Sequence, residues 1–124
     1  MTTESDFYQR LKRNTDQWLH YQRIETFTQS GVFDTVYHHP STMGWLELKV
    51  SPNSLSPSQL AWRAQMLPHC PNLLLLTYCR RSAAIKLEQL ADGRSVVLSE
   101  KSRRFDWAAL VSAILDYSKK MGVI

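Results

Sequence analysis

The stretch Trp45-Leu46-Glu47-Leu48-Lys49-Val50 alternates: from the first leucine on, every second side chain is aliphatic and those between are charged. This alternation is typical of a β-strand. Successive side chains of a strand point to opposite faces of the sheet, so the two leucines and the valine share one face. That face predicts a strand packed on the hydrophobic core, and the opposite face then presents Glu47 and Lys49 together.

Two segments before this strand also have the composition of strands. Residues 23–28 and 32–37 are rich in β-branched and aromatic residues, and turn residues such as Gly31 and Pro40 separate the three segments. Short turns join antiparallel neighbours, so we expect the sheet to begin with three antiparallel strands. Asp34 lies on the middle segment and is expected beside Glu47 across the sheet.

Helices are predicted on both sides of these strands. Residues 4–18 place apolar side chains at the spacing of one helical face, behind the N-cap candidate Thr3. Ser56 and Pro57 have the chemistry of a second helix start, and this helix is expected to end before Pro68. The predicted order therefore begins with a helix, three strands and a helix.

The rest of the chain predicts an extension of the same sheet. Residues 72–78 form an almost unbroken apolar run, as in a strand buried on both faces. Residues 83–87 and 95–98 have weaker strand patterns, and a helix is the alternative for the first of them. Asp106 can cap a final helix. We therefore expect an α/β fold in which helices flank a mixed central sheet.

Length and charge narrow the classes of function. A chain of 124 residues suits one domain, residues 1–124. Fifteen Lys and Arg against eleven Asp and Glu give a net charge of +4, which favours a polyanionic partner without identifying it. The N-terminus is acidic and polar, unlike a signal peptide, and no apolar run is long enough to span a bilayer. A cytoplasmic protein is expected.

The functional interpretation of the strand face that carries Glu47 and Lys49 depends on Asp34. An alternation of Glu and Lys on one strand is by itself typical of a solvated sheet face. Oxygen ligands that converge on one point bind Mg²⁺, and Asp34 and Glu47 are expected to converge in this way. Lys49 would then lie near the water or the charge that develops on a phosphate under attack. The pattern therefore predicts a magnesium site suited to phosphodiester hydrolysis.

Four motifs resemble those of the PD-(D/E)XK nuclease superfamily in order and spacing. They are Arg23-Ile24-Glu25, Gly31-Val32-Phe33-Asp34, Gly44-Trp45-Leu46-Glu47-Leu48-Lys49 and Leu55-Ser56-Pro57-Ser58-Gln59-Leu60-Ala61-Trp62. The chain looks most like the small virus-type replication-repair nucleases and phage-encoded relatives of Holliday-junction resolvases. It departs from the family at Phe33, where proline is usual. The resemblance covers roughly residues 4–78 and implies a restriction-endonuclease-like αβββαβ core.

The resemblance also implies roles for individual residues. Asp34, Glu47 and the carbonyl of Leu48 would bind Mg²⁺, for which Mn²⁺ can substitute, and Lys49 would be the catalytic lysine. Gln59 would position the attacking water or the lysine; the alternative for Gln59 is an amide on the helix surface.

Two more acidic residues are candidates for the site, and two basic clusters are candidates for contacts with nucleic acid. Glu4 matches an acidic residue that reaches the metal site in relatives; the alternative is a charge that stabilises the start of its helix. Glu25 is a further candidate near the site. The nucleic-acid contacts predicted at Arg80, Arg81, Arg103 and Arg104 would hold phosphates, and solvated surface is the alternative.

The function expected from these patterns is that of a Mg²⁺-dependent deoxyribonuclease. It would hydrolyse phosphodiester bonds of branched or otherwise structured DNA in replication, recombination or repair, and would act as a homodimer. Two other classes stay open: a catalytically inactive nucleic-acid- or protein-binding module on the nuclease fold, and a sequence-specific nuclease of the restriction or homing type.

Overall fold

Six strands in one mixed sheet and three helices form the part of the chain that the structure, a computed structural model, describes: residues 3–24, 31–101 and 104–120. In chain order the elements are α1 (Glu4–Thr15), β1 (His20–Arg23), β2 (Thr35–His39), β3 (Thr42–Val50), α2 (Pro57–Met66), β4 (Leu73–Cys79), β5 (Ala84–Gln89), β6 (Ser95–Ser99) and α3 (Trp107–Tyr117). The predicted α/β class is confirmed.

The strands follow one another across the sheet in chain order, from β1 to β6. The first three strands pair antiparallel, as the short turns predicted. β3 and β4 pair parallel, and α2 provides the long connection that parallel neighbours need. β4, β5 and β6 are again antiparallel. β3 therefore lies where the sheet changes from antiparallel to parallel pairing.

The two faces of the sheet pack on different helices. On one face, the leucines of β3 join the buried side chains of α1 and α3 in one core. On the other face, Trp62 of α2 packs against Phe33 and Trp45, with ring centroids 5.0 and 5.2 Å away. Trp62 is 4% exposed and belongs to the core on this face. Glu47 and Lys49 lie on this second face, on the α2 side.

The helix caps lie where the sequence predicted them. The Thr3 hydroxyl, the Ser56 hydroxyl and the Asp106 carboxylate each accept a hydrogen bond from the backbone N–H three residues later. The first helix ends at Thr15, short of the predicted residue 18. Across the described ranges, no helix has the length and the apolar character needed to cross a membrane.

The first strand begins earlier than its pattern predicted. β1 starts at His20, whereas residues 23–28 were expected, and positions 25–30 of that prediction lie outside the described residues. The Tyr21 hydroxyl lies 2.8 Å from the Thr15 hydroxyl, and both groups are buried. This contact ties the end of α1 to β1 and fixes where the strand begins.

The second strand begins later than predicted, at Thr35 instead of residue 32. Phe33 leaves the line of the sheet because its ring is fully buried against Trp62. The prediction that Asp34 lies within the strand is therefore wrong, since Asp34 forms a bend directly before it. Farther along, the segment for which a helix was the alternative is strand β5.

A buried asparagine connects the sheet to the end of α3. The Asn72 amide nitrogen lies 3.1, 2.9 and 2.9 Å from the Thr42 hydroxyl and the carbonyls of Met43 and Lys119. Its side-chain oxygen accepts a hydrogen bond from the Lys119 N–H, at 2.8 Å. One side chain therefore joins β3, the start of β4 and the segment after α3.

Candidate active site

Glu47 is a buried acidic residue with an unsatisfied oxygen. Its side chain is 8% exposed, and its Oε2 has no hydrogen-bond partner among the described residues. Burial, followed by the neighbouring negative charge of Asp34, raises the pKa of Glu47 to about 7. A buried polar atom without a partner is rare in folded proteins and calls for a structural or functional explanation.

Asp34 lies beside Glu47 across the β2–β3 pair. The last paired residues are Thr35 and Leu46, so one step farther along the same antiparallel register Asp34 faces Glu47. The Asp34 backbone lies close enough to the Glu47 carboxylate to lower its pKa. The two acidic residues are therefore neighbours, as the sequence predicted, although Asp34 stands on a bend and not within the strand.

Lys49 stands on the same face of β3 as Glu47. Its Nζ lies 3.9 Å from Glu47 Oε1, and its side chain is 14% exposed. At this distance the two groups attract each other without forming a close hydrogen bond. The positive charge lowers the pKa of Glu47, but burial and Asp34 have the larger effect. Lys49 therefore places a cation beside an acidic pair in a poorly solvated position.

Gln59 reaches Glu47 from the first turn of α2. Its Oε1 accepts a hydrogen bond from the Ser56 N–H at 3.0 Å, so the amide NH₂ group is the part of Gln59 that can lower the pKa of Glu47. The N-terminal cap of α2 and the acidic site thus share one side chain. Gln59 therefore lies near Glu47 and also belongs to the cap of α2, and its role at the site stays a prediction.

A close contact fixes the start of α2 against the segment before β2. Gly31 has a φ of 84°, and a Cβ atom at this position would overlap the Ser58 carbonyl group and lie 2.8 Å from the Gln59 nitrogen. Only glycine fits such an approach without strain. The backbone that leads to Asp34 therefore rests directly on the turn of α2 that carries Gln59.

The Leu48 carbonyl points to the same side of β3 as Asp34. The backbone N–H groups of Trp45 and Ser51 donate to Asn72 and Tyr78 on the β4 side. Backbone polar groups alternate in direction along a strand, so Leu48 directs its carbonyl to the opposite edge. The paired residues of β2 end before this point, opposite Leu46. This carbonyl could therefore join two carboxylates as an oxygen ligand.

Glu4 is placed at the rim of this region. Its carboxylate accepts a hydrogen bond of 3.1 Å from the side chain of Asn53, in the loop that follows β3. The described contact of Glu4 is therefore with this loop and not with Asp34 or Glu47. Glu25 and Arg103, two other candidates from the sequence, lie outside the described residues.

The other basic candidates lie at two separate places. Arg80 and Arg81 are exposed in the turn after β4 and line an open pocket with Ser51 and Pro52, at the end of β3. Because β3 and β4 are parallel, this pocket lies at the strand ends next to Lys49. Arg104 is exposed near the start of α3, on the other side of the sheet.

The sequence patterns missed Arg23. Its Nη2 lies 2.7 Å from Asp34 Oδ2, and its guanidinium group stacks over the Tyr8 ring at 4.4 Å. Arg23 belongs to a quoted motif, and antiparallel pairing of β1 with β2 places it opposite Thr35. The first strand was predicted too late in the chain, so the pairing of Arg23 with Thr35 was not anticipated. The correct register would have placed Arg23 beside Asp34.

The donor set fits a divalent cation. Within the described ranges no group of three or more His, Cys, Asp or Glu side chains could hold a metal ion, so a cluster of side chains alone is not available. Asp34, Glu47 and the Leu48 carbonyl supply hard oxygen atoms, the ligands that Mg²⁺ prefers, and Mg²⁺ keeps several waters in its shell. The observation that favours this fit is that Glu47 Oε2 has no hydrogen-bond partner among the described residues.

Comparisons with known proteins add nothing to these observations. No protein-family model matches the chain, and no curated protein matches its sequence. The resemblance to PD-(D/E)XK nucleases therefore depends on the four motifs and on the geometry around Glu47.

Proposed function

We propose that the chain is a Mg²⁺-dependent endonuclease of the PD-(D/E)XK type that hydrolyses DNA phosphodiester bonds. The observation that carries this proposal is the environment of Glu47, a buried carboxylate with one unbonded oxygen beside the charge of Asp34. Burial of a charge without a partner is costly. A divalent cation would compensate both the charge and the missing hydrogen bond.

The order of the elements supports the same proposal. The first six elements are a helix, three strands, a helix and a strand, which is the core order that the resemblance implies. The strand with Glu47 and Lys49 is the third of these, and the helix after it supplies Gln59. β5, β6 and α3 extend this core on the far side of β4.

Each residue of the site has a chemical task under this proposal. Bound by Asp34, Glu47 and the Leu48 carbonyl, Mg²⁺ would supply Lewis acidity to the phosphate and lower the pKa of a water molecule. Lys49 would donate hydrogen bonds to a phosphate oxygen and stabilise the negative charge of the transition state. Its low exposure strengthens this interaction. Gln59 would hold the Glu47 carboxylate in one orientation.

The proposed substrate is branched or otherwise structured duplex DNA. Arg80 and Arg81 stand at the ends of β3 and β4, near Lys49, where they would bind phosphates without reading bases. The loops of the described chain are short and offer no insertion for sequence recognition. A homodimer follows from the chemistry, because one site cuts one strand and paired cuts need two sites.

Cleavage assays with a matched variant test the proposal. Supercoiled, linear and four-way-junction DNA are incubated with the purified protein in Mg²⁺, Mn²⁺ or EDTA. We expect cleavage with either metal and none in EDTA. Glu47→Gln should lose at least the roughly 10–100-fold in rate that removal of an outer-shell partner costs a metal site.

Glu88→Gln is the matched control. Glu88 lies in the same cross-strand row as Glu47, two strands away, and pairs with Lys86 at 3.7 Å. It is more exposed, at 31%, and represents an acid–base pair on a solvated sheet face. Equal cleavage by wild type and Glu47→Gln on every substrate would refute the nuclease assignment. Binding of junction DNA without cleavage in either metal would favour the inactive binding module.

A further inference from the structure

A pocket of about 400 Å³ opens on the face of the sheet opposite to Glu47. Its charged and amide lining consists of Arg10, Arg13 and Asn14 of α1 together with Glu100 and Arg104. We call this the arginine pocket. Its volume lies within the roughly 300–1,000 Å³ of known ligand sites. It is separate from the candidate active site, which faces α2.

The guanidinium groups of the arginine pocket are available to a ligand. The ion pairs among the described residues do not involve Arg10, Arg13 or Arg104. Arg10 and Arg13 stand three positions apart on α1, so their side chains project from the same side of the helix, where like charges repel. Glu100 supplies one carboxylate against three guanidinium groups. An anion that enters the pocket would therefore relieve repulsion and gain several charge-assisted hydrogen bonds.

Aromatic side chains form most of the remaining lining. Tyr78, Phe105 and Trp107 are half-buried, and the Phe105 and Trp107 rings meet edge to face with centroids 4.8 Å apart. Simple inorganic anions need only positive charge and hydrogen-bond donors. Arginine combined with aromatic rings is typical of sites where single-stranded nucleic acid binds by its phosphate and by stacking of its base.

The arginine pocket and Lys49 lie near the same ends of β3 and β4, on opposite faces of the sheet. Tyr78, in its lining, pairs with Val50, the residue after Lys49. The turn with Arg80 and Arg81 comes two residues after Tyr78, at the same strand ends. Basic side chains therefore continue from Lys49, over this turn, into the pocket on the opposite face.

We propose that the arginine pocket binds a phosphate and an unpaired base of a single DNA strand that leaves the candidate active site over the Arg80–Arg81 turn. This inference rests on the proposed nuclease function, which supplies the strand. It would also favour the proposed structured DNA as substrate, because a branch or a flap provides an unpaired strand and an intact duplex does not.

Binding of a short single strand in EDTA tests the pocket without metal or cleavage. The probe is fluorescein-labelled dT10, measured by fluorescence anisotropy at several salt concentrations. Arg13→Gln is compared with Lys12→Gln, which removes an equal charge from the adjacent exposed position of α1 but lies outside the pocket. Arg13→Gln should weaken binding roughly tenfold, as expected for loss of hydrogen bonds to a charged group. It should also reduce the slope of log K against log salt by about 0.7, whereas Lys12→Gln should leave the affinity nearly unchanged.

A second probe separates stacking from charge. An abasic strand of the same length and charge should bind wild type more weakly than dT10, and Trp107→Ala should remove that difference. Equal affinities of Arg13→Gln and Lys12→Gln, or of the abasic strand and dT10, would overturn the proposal. The nuclease assignment would be untouched by that result, since it is tested by cleavage with Glu47→Gln.

Discussion

Burial of Glu47, helped by the charge of Asp34, raises the pKa of Glu47 from 4.5 to about 7, so the folded chain holds this proton more tightly than the unfolded chain does. The stability that results is fully present below about pH 4.5 and is lost as the pH rises through 7. Glu47→Gln, which resembles the protonated form, should equal wild type near pH 4.5 in EDTA. Above pH 7.5 it should be more stable by about 3 kcal/mol.

Urea unfolding of both proteins at pH 4.5, 6 and 8 measures this difference. The control is Glu88→Gln, whose stability relative to wild type should change little over the same range because Glu88 is more exposed. A difference between Glu47→Gln and wild type that stays constant from pH 4.5 to 8 would contradict the shifted pKa.

A bound cation should stabilise wild type at high pH, where ionisation of Glu47 alone would destabilise the fold. Mg²⁺ binds the ionised carboxylate, so at pH 8 it should raise the melting temperature of wild type and of Glu88→Gln but not of Glu47→Gln. Below pH 6 the proton competes and the Mg²⁺ effect should disappear. Calorimetry with 10-fold steps in Mg²⁺ measures the shift. An equal rise in all three proteins at pH 8 would indicate binding elsewhere.

At the residue scale, the sequence could predict that Glu47 and Lys49 share one face of the sheet, but not every residue that contacts the site. Alternation alone places Glu47 and Lys49 on one face, because the side-chain period of a strand is two. The pairing of the predicted strands placed Asp34 beside Glu47, whereas the place of Gln59 at the site came from the motifs. Arg23 was not predicted, because its position depends on strand register, which a local pattern does not fix when the strand is offset.

Among the elements, the start of α2 carries the strongest steric constraint on the site. Gly31 combines a φ of 84° with a direct contact to the backbone of Ser58. Gly31→Ala adds a left-handed penalty of about 1–2 kcal/mol to the cost of pushing α2 away. We expect a loss of unfolding free energy larger than this penalty, together with loss of cleavage, because Gln59 would move from Glu47.

Gly93→Ala is the control for the backbone penalty alone. Gly93 has a similar φ of 79°, and nothing lies within 4 Å of a Cβ placed there. Urea unfolding and cleavage rates of the two variants should therefore separate the conformational cost from the contact with α2. Equal destabilisation and unchanged cleavage in both variants would show that the Gly31 contact does not position α2.

The sequence predicted the existence of the elements better than their ends. Caps at Thr3, Ser56 and Asp106 act through neighbouring backbone groups, so local chemistry suffices to place helix starts. The bounds of β1 and β2 depend on tertiary contacts instead. The burial of Phe33 against Trp62 removes the residues before Thr35 from the sheet, and no local pattern contains that contact.

For the whole molecule, Asn72 is the connection between the sheet and α3. Asn72→Ala would remove the acceptor of the Lys119 N–H and the donor to the Met43 carbonyl, while the Thr42 hydroxyl would still donate to the Lys119 carbonyl. We expect a loss of about 3 kcal/mol of unfolding free energy, as several buried hydrogen bonds are lost at once. Asn53→Ala, which removes one exposed hydrogen bond to Glu4, should change stability by less than about 0.5 kcal/mol. Urea titration compares the two; similar losses would contradict this role of Asn72.

The parallel pairing of β3 with β4 divides the six described strands into two antiparallel halves, each of which connects neighbours in the chain. Such hairpins form in about 1–10 μs, whereas partners such as Trp45 and Leu73, separated by all of α2, must first overcome the entropy of loop closure. Folding should therefore be limited by the closure of this crossover. Gln59 lies on the crossover, so its contact with Glu47 would form late, and amide exchange in α2 should report the earliest opening of the native state.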